Sequence, residues 1–236
     1  MEAVVTLPAT REPAAAHPRA WRVFVRDGET AREQMAIDDA LAREAQPTLR
    51  LFRWSRPAFS LGRNQIRPEW LDGARLASAG IELVERPTGG GLALHGSDLS
   101  CSVVVPHEPG LRLSSLMAWI CQTLTQAFGD AGHQVEWIGE LPATSRVIYC
   151  LAQPSSYALY VGGKKFGGFA VRRYARSLLV RGSCALHSFP DALMRVMSEE
   201  TAYRYATQST WLETMSPALV DEEALIQSIT RSWRAS

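Results

Sequence analysis

What this sequence lacks narrows it first. Its 236 residues hold only four cysteines, Cys101, Cys121, Cys150 and Cys184. They form no C-x-x-C pair and have no histidine at zinc-ligand spacing, so no metal site is expected and the thiols read as reduced, as in the cytoplasm. No apolar run approaches the roughly 18 residues that span a bilayer. The first twenty residues are rich in Ala and Pro and lack the apolar stretch of about 7 to 15 residues that a secretory leader needs, so residues 1–20 read as a disordered tail. A soluble, cytoplasmic chain without a membrane partner is the expectation. An excess of one charge is missing as well: Lys and Arg number 25 against 24 Asp and Glu, a net charge of +1. That balance supplies no long-range field for nucleic acid, and none is expected as a partner. Neither G-x-x-x-x-G-K-[ST] nor G-x-G-x-x-G occurs, which removes the phosphate-loop and dinucleotide fingerprints.

What is present is enough apolar residue, 46%, for a sizeable core, with no internal repeat and no interior linker. Residues 21–236 read as one domain. Trp21–Val25 looks like an opening strand, and residues 33–45, with Met35, Ala36, Ala40 and Leu41 at helical spacing, like a helix. Thr48–Trp54 and Ala58–Gly62 alternate as strands and are expected to pair as a hairpin across Pro57. Pro68–Ala79 suggests a helix stopped at Gly80, after which Ile81–Val84 forms a strand aimed at a glycine triplet. Leu99–Val105 is a β-branched strand closed by Pro106, and Ser114 or Ser115 is the expected cap of a helix running to Gly129. Ser156–Val161 and Lys165–Ala170 flank Gly162-Gly163, a two-residue hairpin loop, with Ser177–Val180 as a further strand. From Asp191 onward helices dominate, the last capped by Asp221 and ending near Trp233. Strands and helices in this order describe an α+β fold.

Three features could carry chemistry. Arg86-Pro-Thr-Gly-Gly-Gly-Leu-Ala-Leu-His95 removes three side chains in a row, so a ligand can lie against bare backbone and use its amides. A plain glycine turn is the alternative, with His95 a hydrogen-bonded structural group. Lys164-Lys165 leaves the Gly162-Gly163 turn toward Gly167 and Gly168, and alternation sends one ammonium into a cleft and the other into water. A fixed ammonium stabilises a carbonyl oxygen as it gains charge; two solvated lysines are the alternative. Cys150 precedes an irregular Leu-Ala-Gln-Pro-Ser-Ser segment that puts its sulfur near a loop. Beside a cation it would ionise and attack a thioester, and without one it is a small buried hydrophobe. Cys101, Cys121 and Cys184 lie in strand-like or helical runs and read as core.

With these residues in hand, the chain resembles the lipoate-protein ligase and octanoyltransferase family from about Trp21 to Trp233. The blocks that carry the likeness are Glu33-Gln-Met-Ala-Ile-Asp-Asp-Ala-Leu41, Thr48–Trp54, Pro57-Ala-Phe-Ser-Leu-Gly62 with Gln65, Arg86–Gly91 with His95, and Gly163-Lys-Lys-Phe-Gly-Gly-Phe-Ala170. The resemblance implies mixed and antiparallel β-sheets flanked by helices, like the catalytic domains of lipoate and biotin protein ligases. It implies Lys165 as catalytic lysine and a substrate site of Arg86, Thr88, Gly89, Gly90, Gly91, His95, Gly167, Gly168, Ala170 and Gly182. Two chemistries occur in such a family. Ligases activate lipoate with ATP and magnesium, whereas octanoyltransferases take octanoyl from acyl carrier protein onto a cysteine and need no cofactor.

Cys150-x-x-x-Pro154-Ser155-Ser156-Tyr157, with Asp98-Leu-Ser-Cys-Ser102, looks like the LipM-type octanoyltransferase branch and makes Cys150 the implied nucleophile. The LipB-type branch carries its cysteine beyond the segment matching Arg181–Leu186, and no cysteine follows Cys184 here. The implied acceptor is a lysine of a lipoyl domain or of glycine cleavage H protein, and the implied state is a monomer. Departures from the branch are Gly91 for its usual arginine, Phe169 and Val171 for serine and glutamine, and Arg181 for histidine. Gly91 is more ligase-like, and Phe169 has the bulk to narrow the acyl tunnel. An ATP-dependent lipoate ligase and a lipoyl amidotransferase are the alternatives.

Overall fold

The structure, a computed structural model, describes residues 18, 20–141, 147–216 and 219–235. Nearly all of the expected tail, residues 1–20, lies outside them.

Alternation in two neighbouring strands builds the centre. β6 (Asp98–Pro106) and β10 (Ser177–Ala185) run antiparallel, Ser102 opposite Arg181 and Ser100 opposite Ser183. Leu99, Cys101, Val103, Val105, Leu178, Val180 and Cys184 enter one apolar core, under α3 (Leu113–Asp130) and α7 (Glu222–Ala235). Ile120, Phe128, Ile229 and Trp233 pack there, and each large side chain so buried stabilises the fold by about 1.5 to 3 kcal/mol. The opposite face carries Ser100, Ser102, Arg181 and Ser183. Polar residues alternating with apolar ones in strands buried along nearly their whole length need partners on that second face.

The partners come from α1 (Ala31–Glu44) and from a small sheet. The seven-stranded sheet has the order β1 (Arg22–Val25), β2 (Thr48–Phe52), β6, β10, β9 (Lys164–Arg173), β8 (Ala158–Val161), β7 (Glu136–Ile138). The small sheet is β4 (Glu82–Glu85), β3 (Ala58–Leu61), β5 (Ala93–His95). Pairs β1–β2 and β3–β4 are parallel and the rest antiparallel, the mixed α+β arrangement expected.

The hairpin expected from Thr48–Trp54 and Ala58–Gly62 does not form. β2 lies between β1 and β6, while β3 joins the other sheet. Every residue of both strands is buried, which central positions in two sheets provide and a two-stranded ribbon would not. Two helix starts also shift. α2 (Gly73–Ser78) begins after Asp72, whose carboxylate accepts from the Ala74 amide, and α3 begins at Leu113, leaving Ser114 and Ser115 inside the first turn. Thr30 and Glu33 form a capping box on α1, and the Asp221 carboxylate accepts from the Ala224 amide at the start of α7.

Where α1 meets the sheet, charges are buried together. The Asp38 carboxylate is fully buried, 2.8 Å from Arg50 Nη1 and 3.3 Å from Arg181 Nε, and accepts from Ser102 Oγ at 2.5 Å. Gln34 also pairs with Arg50. Removing the carboxylate leaves two buried guanidiniums short of an anion, which costs about 3–5 kcal/mol. Asp38→Ala is therefore expected to lower the unfolding free energy by that much in urea titrations. A loss below ~1 kcal/mol would mean that Arg50 and Arg181 find another counter-charge.

Candidate active site

Gly162 and Gly163 turn the β8–β9 hairpin with φ of 54° and 73°. Just beyond, the register slips: Tyr160 pairs with Lys165 but Leu159 with Gly167, so Phe166 is an extra residue. Such a bulge reverses the alternation of faces. Phe166 drops into the apolar core against Phe128, ring centroids 5.4 Å apart, while Lys165 and Gly168 face the same site although three positions apart. Lys164 stays in solvent and Lys165 is 3% exposed. The split between the lysines follows expectation; the bulge that aims Lys165 does not show in the pattern.

Lys165 Nζ donates to Cys150 O at 2.6 Å, Gln153 O at 3.0 Å and Ser155 Oγ at 2.7 Å. All three ammonium hydrogens are engaged, so the lysine staples the irregular loop that carries the thiol. Sulfur and cation converge over Gly168: a Cβ built there would lie 3.2 Å from Cys150 Sγ, 3.3 Å from Lys165 Cε and 3.5 Å from Lys165 Nζ. Burial pulls the Lys165 ammonium below the ordinary lysine value, and the nearby Cys150 opposes that pull. The other cysteines differ in kind. Burial pushes the thiols of Cys101 and Cys121 up to about 12 and that of Cys184 well above its usual value, which leaves them inert. Cys150 alone of the four is not buried.

A second set of contacts hangs both residues on one helix. The Leu92 amide donates to Ile148 O at 2.6 Å, and the Cys150 amide to Leu92 O at 2.9 Å. Tyr205, buried in α5 (Glu199–Gln208), donates its hydroxyl to the same Leu92 carbonyl at 2.8 Å. Just past α5, the Thr210 amide donates to Lys165 O at 3.2 Å. Nothing in the sequence marked Tyr205, Gln153 or Thr210.

Two glycines of the triplet, Gly90 and Gly91, sit in close packing, while a Cβ on Gly89 would meet open space. A Cβ on Gly91 would lie 2.4 Å from the Ile148 backbone, and one on Gly62 1.9 Å from Gly90 O. Glycine there lets the Cys150 segment and β3 approach the triplet backbone to backbone. Arg86 locks the loop, donating to Gly89 O at 2.8 Å, Gly91 O at 2.6 Å and Ser60 O at 2.8 Å. Thr88 is buried beside it.

A hydrogen-bonded chain continues inward from Arg86. Its Nη1 reaches Ser60 Oγ at 3.1 Å, Ser60 Oγ meets His95 Nε2 at 2.8 Å, and His95 Nδ1 meets Asp98 Oδ2 at 2.9 Å. The carboxylate also accepts from Ser100 Oγ and Ser183 Oγ, at 2.8 and 2.6 Å. Burial lowers the His95 pKa despite Asp98, so the ring is neutral, with Nδ1–H assigned toward the carboxylate and Nε2 accepting from Ser60. Trp54 stacks on it at 3.9 Å between centroids. His95 thus has both ring nitrogens engaged within the protein while it borders a neighbouring pocket.

Between the sheets lies a narrow, nearly closed pocket of about 20 Å³. Cys150, Arg86, His95, Gly168, Ala170 and Gly182 line it, as do Ser60, Arg181 and Ser183. Thr88, Gly89, Gly90, Gly91 and Gly167 are not among its walls. Phe169 borders it, yet its ring lies against Gly182 and Cys101 on the face packed by α3 and α7, where a Cβ on Gly182 would be 2.5 Å away. Its bulk goes into the core and not across the pocket. Ser60 and Ser183 are not among the expected site residues, although Asp98-x-Ser100-x-Ser102 within an otherwise apolar strand is the pattern that reveals a polar inner face. Among the described residues no three His, Cys, Asp or Glu gather as metal ligands, and no helix is long and apolar enough to cross a membrane.

Residues 30–232 match the lipoyl protein ligase A/B catalytic domain. An octanoyltransferase LipM of Carboxydothermus hydrogenoformans is 35% identical over 187 residues, which cover 75% of this chain and 69% of that protein. Another, from Symbiobacterium thermophilum, is 31% identical over 81% of this chain and 77% of its own length. Among solved structures, a T. acidophilum lipoate protein ligase with bound lipoic acid superposes with a TM-score of 0.73 at 20% identity, covering 91% of this chain and 84% of that one. A lipoate-protein ligase A bound with ATP gives 0.72 at 22% identity, over 91% and 83%.

Proposed function

The chain belongs to the lipoyl protein ligase A/B catalytic-domain family, and from that premise we propose that it is an octanoyltransferase working through Cys150. It takes an octanoyl group from acyl carrier protein and delivers it to a specific lysine of a lipoyl domain or of glycine cleavage H protein, acting as a monomer in the cytoplasm. The convergence of Cys150 Sγ and Lys165 Nζ over Gly168 carries this reading.

The Cys150 thiolate attacks the thioester carbonyl, forming a sulfur–carbon bond and a tetrahedral oxyanion. Of the three groups that hold Lys165 Nζ, two are carbonyls fixed in the backbone and one is the Ser155 hydroxyl, which can rotate away. The oxyanion takes that third place and is stabilised by the ammonium. Collapse expels the carrier's thiolate and leaves octanoyl on Cys150. The acceptor amine then attacks the new thioester, Cys150 leaves as thiolate, and the proton that the amine sheds balances the carrier thiolate expelled in the first half, which departs as a thiol. Thioester for thioester is near balance and amide for thioester runs downhill, so the sequence needs no nucleotide.

The test is a comparison of donors. Octanoyl-acyl carrier protein with no ATP is expected to octanoylate a lipoyl domain or H protein, and free octanoate or lipoate with ATP and magnesium is not. Product formed only in the second reaction would make the chain a ligase with Cys150 as packing.

A further inference from the structure

Arg181 borders the pocket, yet no step above uses it. Its side chain is 3% exposed; Nε faces Asp38, Nη1 reaches the Met35 sulfur at 2.8 Å, and the rings of Phe52 and Trp54 lie 5.4 and 5.2 Å away. Nη2 is buried with no hydrogen-bond partner among the described residues. Asp38 is shared with Arg50, so its carboxylate does not answer Arg181 alone. Buried donors are paired as a rule, and a bare one beside a substrate pocket is a group that the substrate can complete.

The strand ladder sets how far Arg181 lies from the reacting centre. Gly168, where sulfur and ammonium converge, is opposite Ser183, and Ala170 is opposite Arg181. Two strand residues separate those levels, about 7 Å. Gly168 and Ala170 put almost no side chain into the pocket there, and Ser60 and Ala93 complete it from the small sheet. The pocket's walls must part to admit an eight-carbon chain; one with its carbonyl at Cys150, laid along Gly168 and Ala170, then brings its last carbons level with Arg181. A plain alkyl end leaves Nη2 unpaired. An end bearing an oxygen or sulfur acceptor pairs it, and the Met35 contact shows that this guanidinium accepts sulfur as a partner.

We propose that Arg181 is the specificity-determining residue at the inner end of the acyl pocket. It extends the substrate class to acyl chains with a hydrogen-bond acceptor near their far end, and it favours them over octanoyl. The inference rests on reading Cys150 and this pocket as the acyl site. One buried hydrogen bond made or left unmade is worth about tenfold in specificity.

The experiment compares kcat/KM for acyl-Cys150 formation from octanoyl and ω-hydroxyoctanoyl thioesters of acyl carrier protein, in the wild type and in Arg181→Met. The wild type is expected to favour the hydroxylated chain about tenfold, and Arg181→Met to lose that preference while still accepting octanoyl. General damage to the fold slows both donors alike and leaves their ratio unchanged. A wild-type ratio at or below one, or the same ratio in both proteins, overturns the proposal, and the wild-type ratio decides alone should Arg181→Met fail to fold. Adducts formed equally from both donors refute only the role of Arg181. No adduct from either refutes the acyl-site reading beneath it.

Discussion

Cys150→Ala is expected to abolish both the acyl-enzyme and the transferred product, a loss of about three orders of magnitude or more in turnover. The fold gives no substitute nucleophile. Cys101, Cys121 and Cys184 are buried, with thiols pushed far from ionisation, and none of them lines the pocket. Cys150→Ser should fare almost as badly, because an alcohol is a far weaker nucleophile than a thiol and forms an ester where the mechanism needs a thioester. Cys184→Ala, by contrast, should leave turnover close to that of the wild type. Rates measured with octanoyl-acyl carrier protein and a lipoyl domain check the series. Full transfer by Cys150→Ala would remove the thioester from the reaction.

Lys165→Met should lower the rate of acyl-Cys150 formation by about 10²- to 10³-fold, since it removes both the charge at the developing oxyanion and the staple on the Cys150 loop. A pH profile separates the lysine's charge from its packing. Burial holds the folded pKa of Lys165 below the ordinary lysine value, so protonated enzyme is lost as pH rises through that lowered value. The rate should fall on that alkaline limb, and the limb should be missing from the residual activity of Lys165→Met. An unchanged alkaline limb in the variant would assign the titration to another group.

How much of this was legible in the sequence depended on what each pattern encodes. Leu99–Val105 was readable because β-branched residues and a closing proline act locally, and so was the Gly162-Gly163 turn, whose positive φ values only glycine adopts readily. The partner of β2 was not local. Only the burial of both its faces, a property of the assembled sheets, sends Thr48–Phe52 to β6 rather than to its neighbour in sequence.

At the site the same division holds. The loop position of Cys150 follows from local irregularity and the burial of one lysine of the pair from alternation, while the choice of Lys165 over Lys164 came from the family resemblance. The clasp of Tyr205 on Leu92 and the contact of Asp38 with Arg181 join residues far apart in the chain, which no spacing rule reaches, and the bulge at Phe166 depends on how its hairpin packs against the core. The glycine triplet reads in the sequence as bare backbone for a ligand; in the structure Gly62 and Ile148 approach Gly90 and Gly91 backbone to backbone, and the space over Gly89 is open.

Intact-protein mass spectrometry after incubation with octanoyl-acyl carrier protein, without nucleotide, reads the thioester itself. Cys150 is expected to gain one octanoyl group that hydroxylamine removes and that a lipoyl domain discharges. An adduct that forms only after ATP is added, or that maps to another residue, would contradict transfer through Cys150.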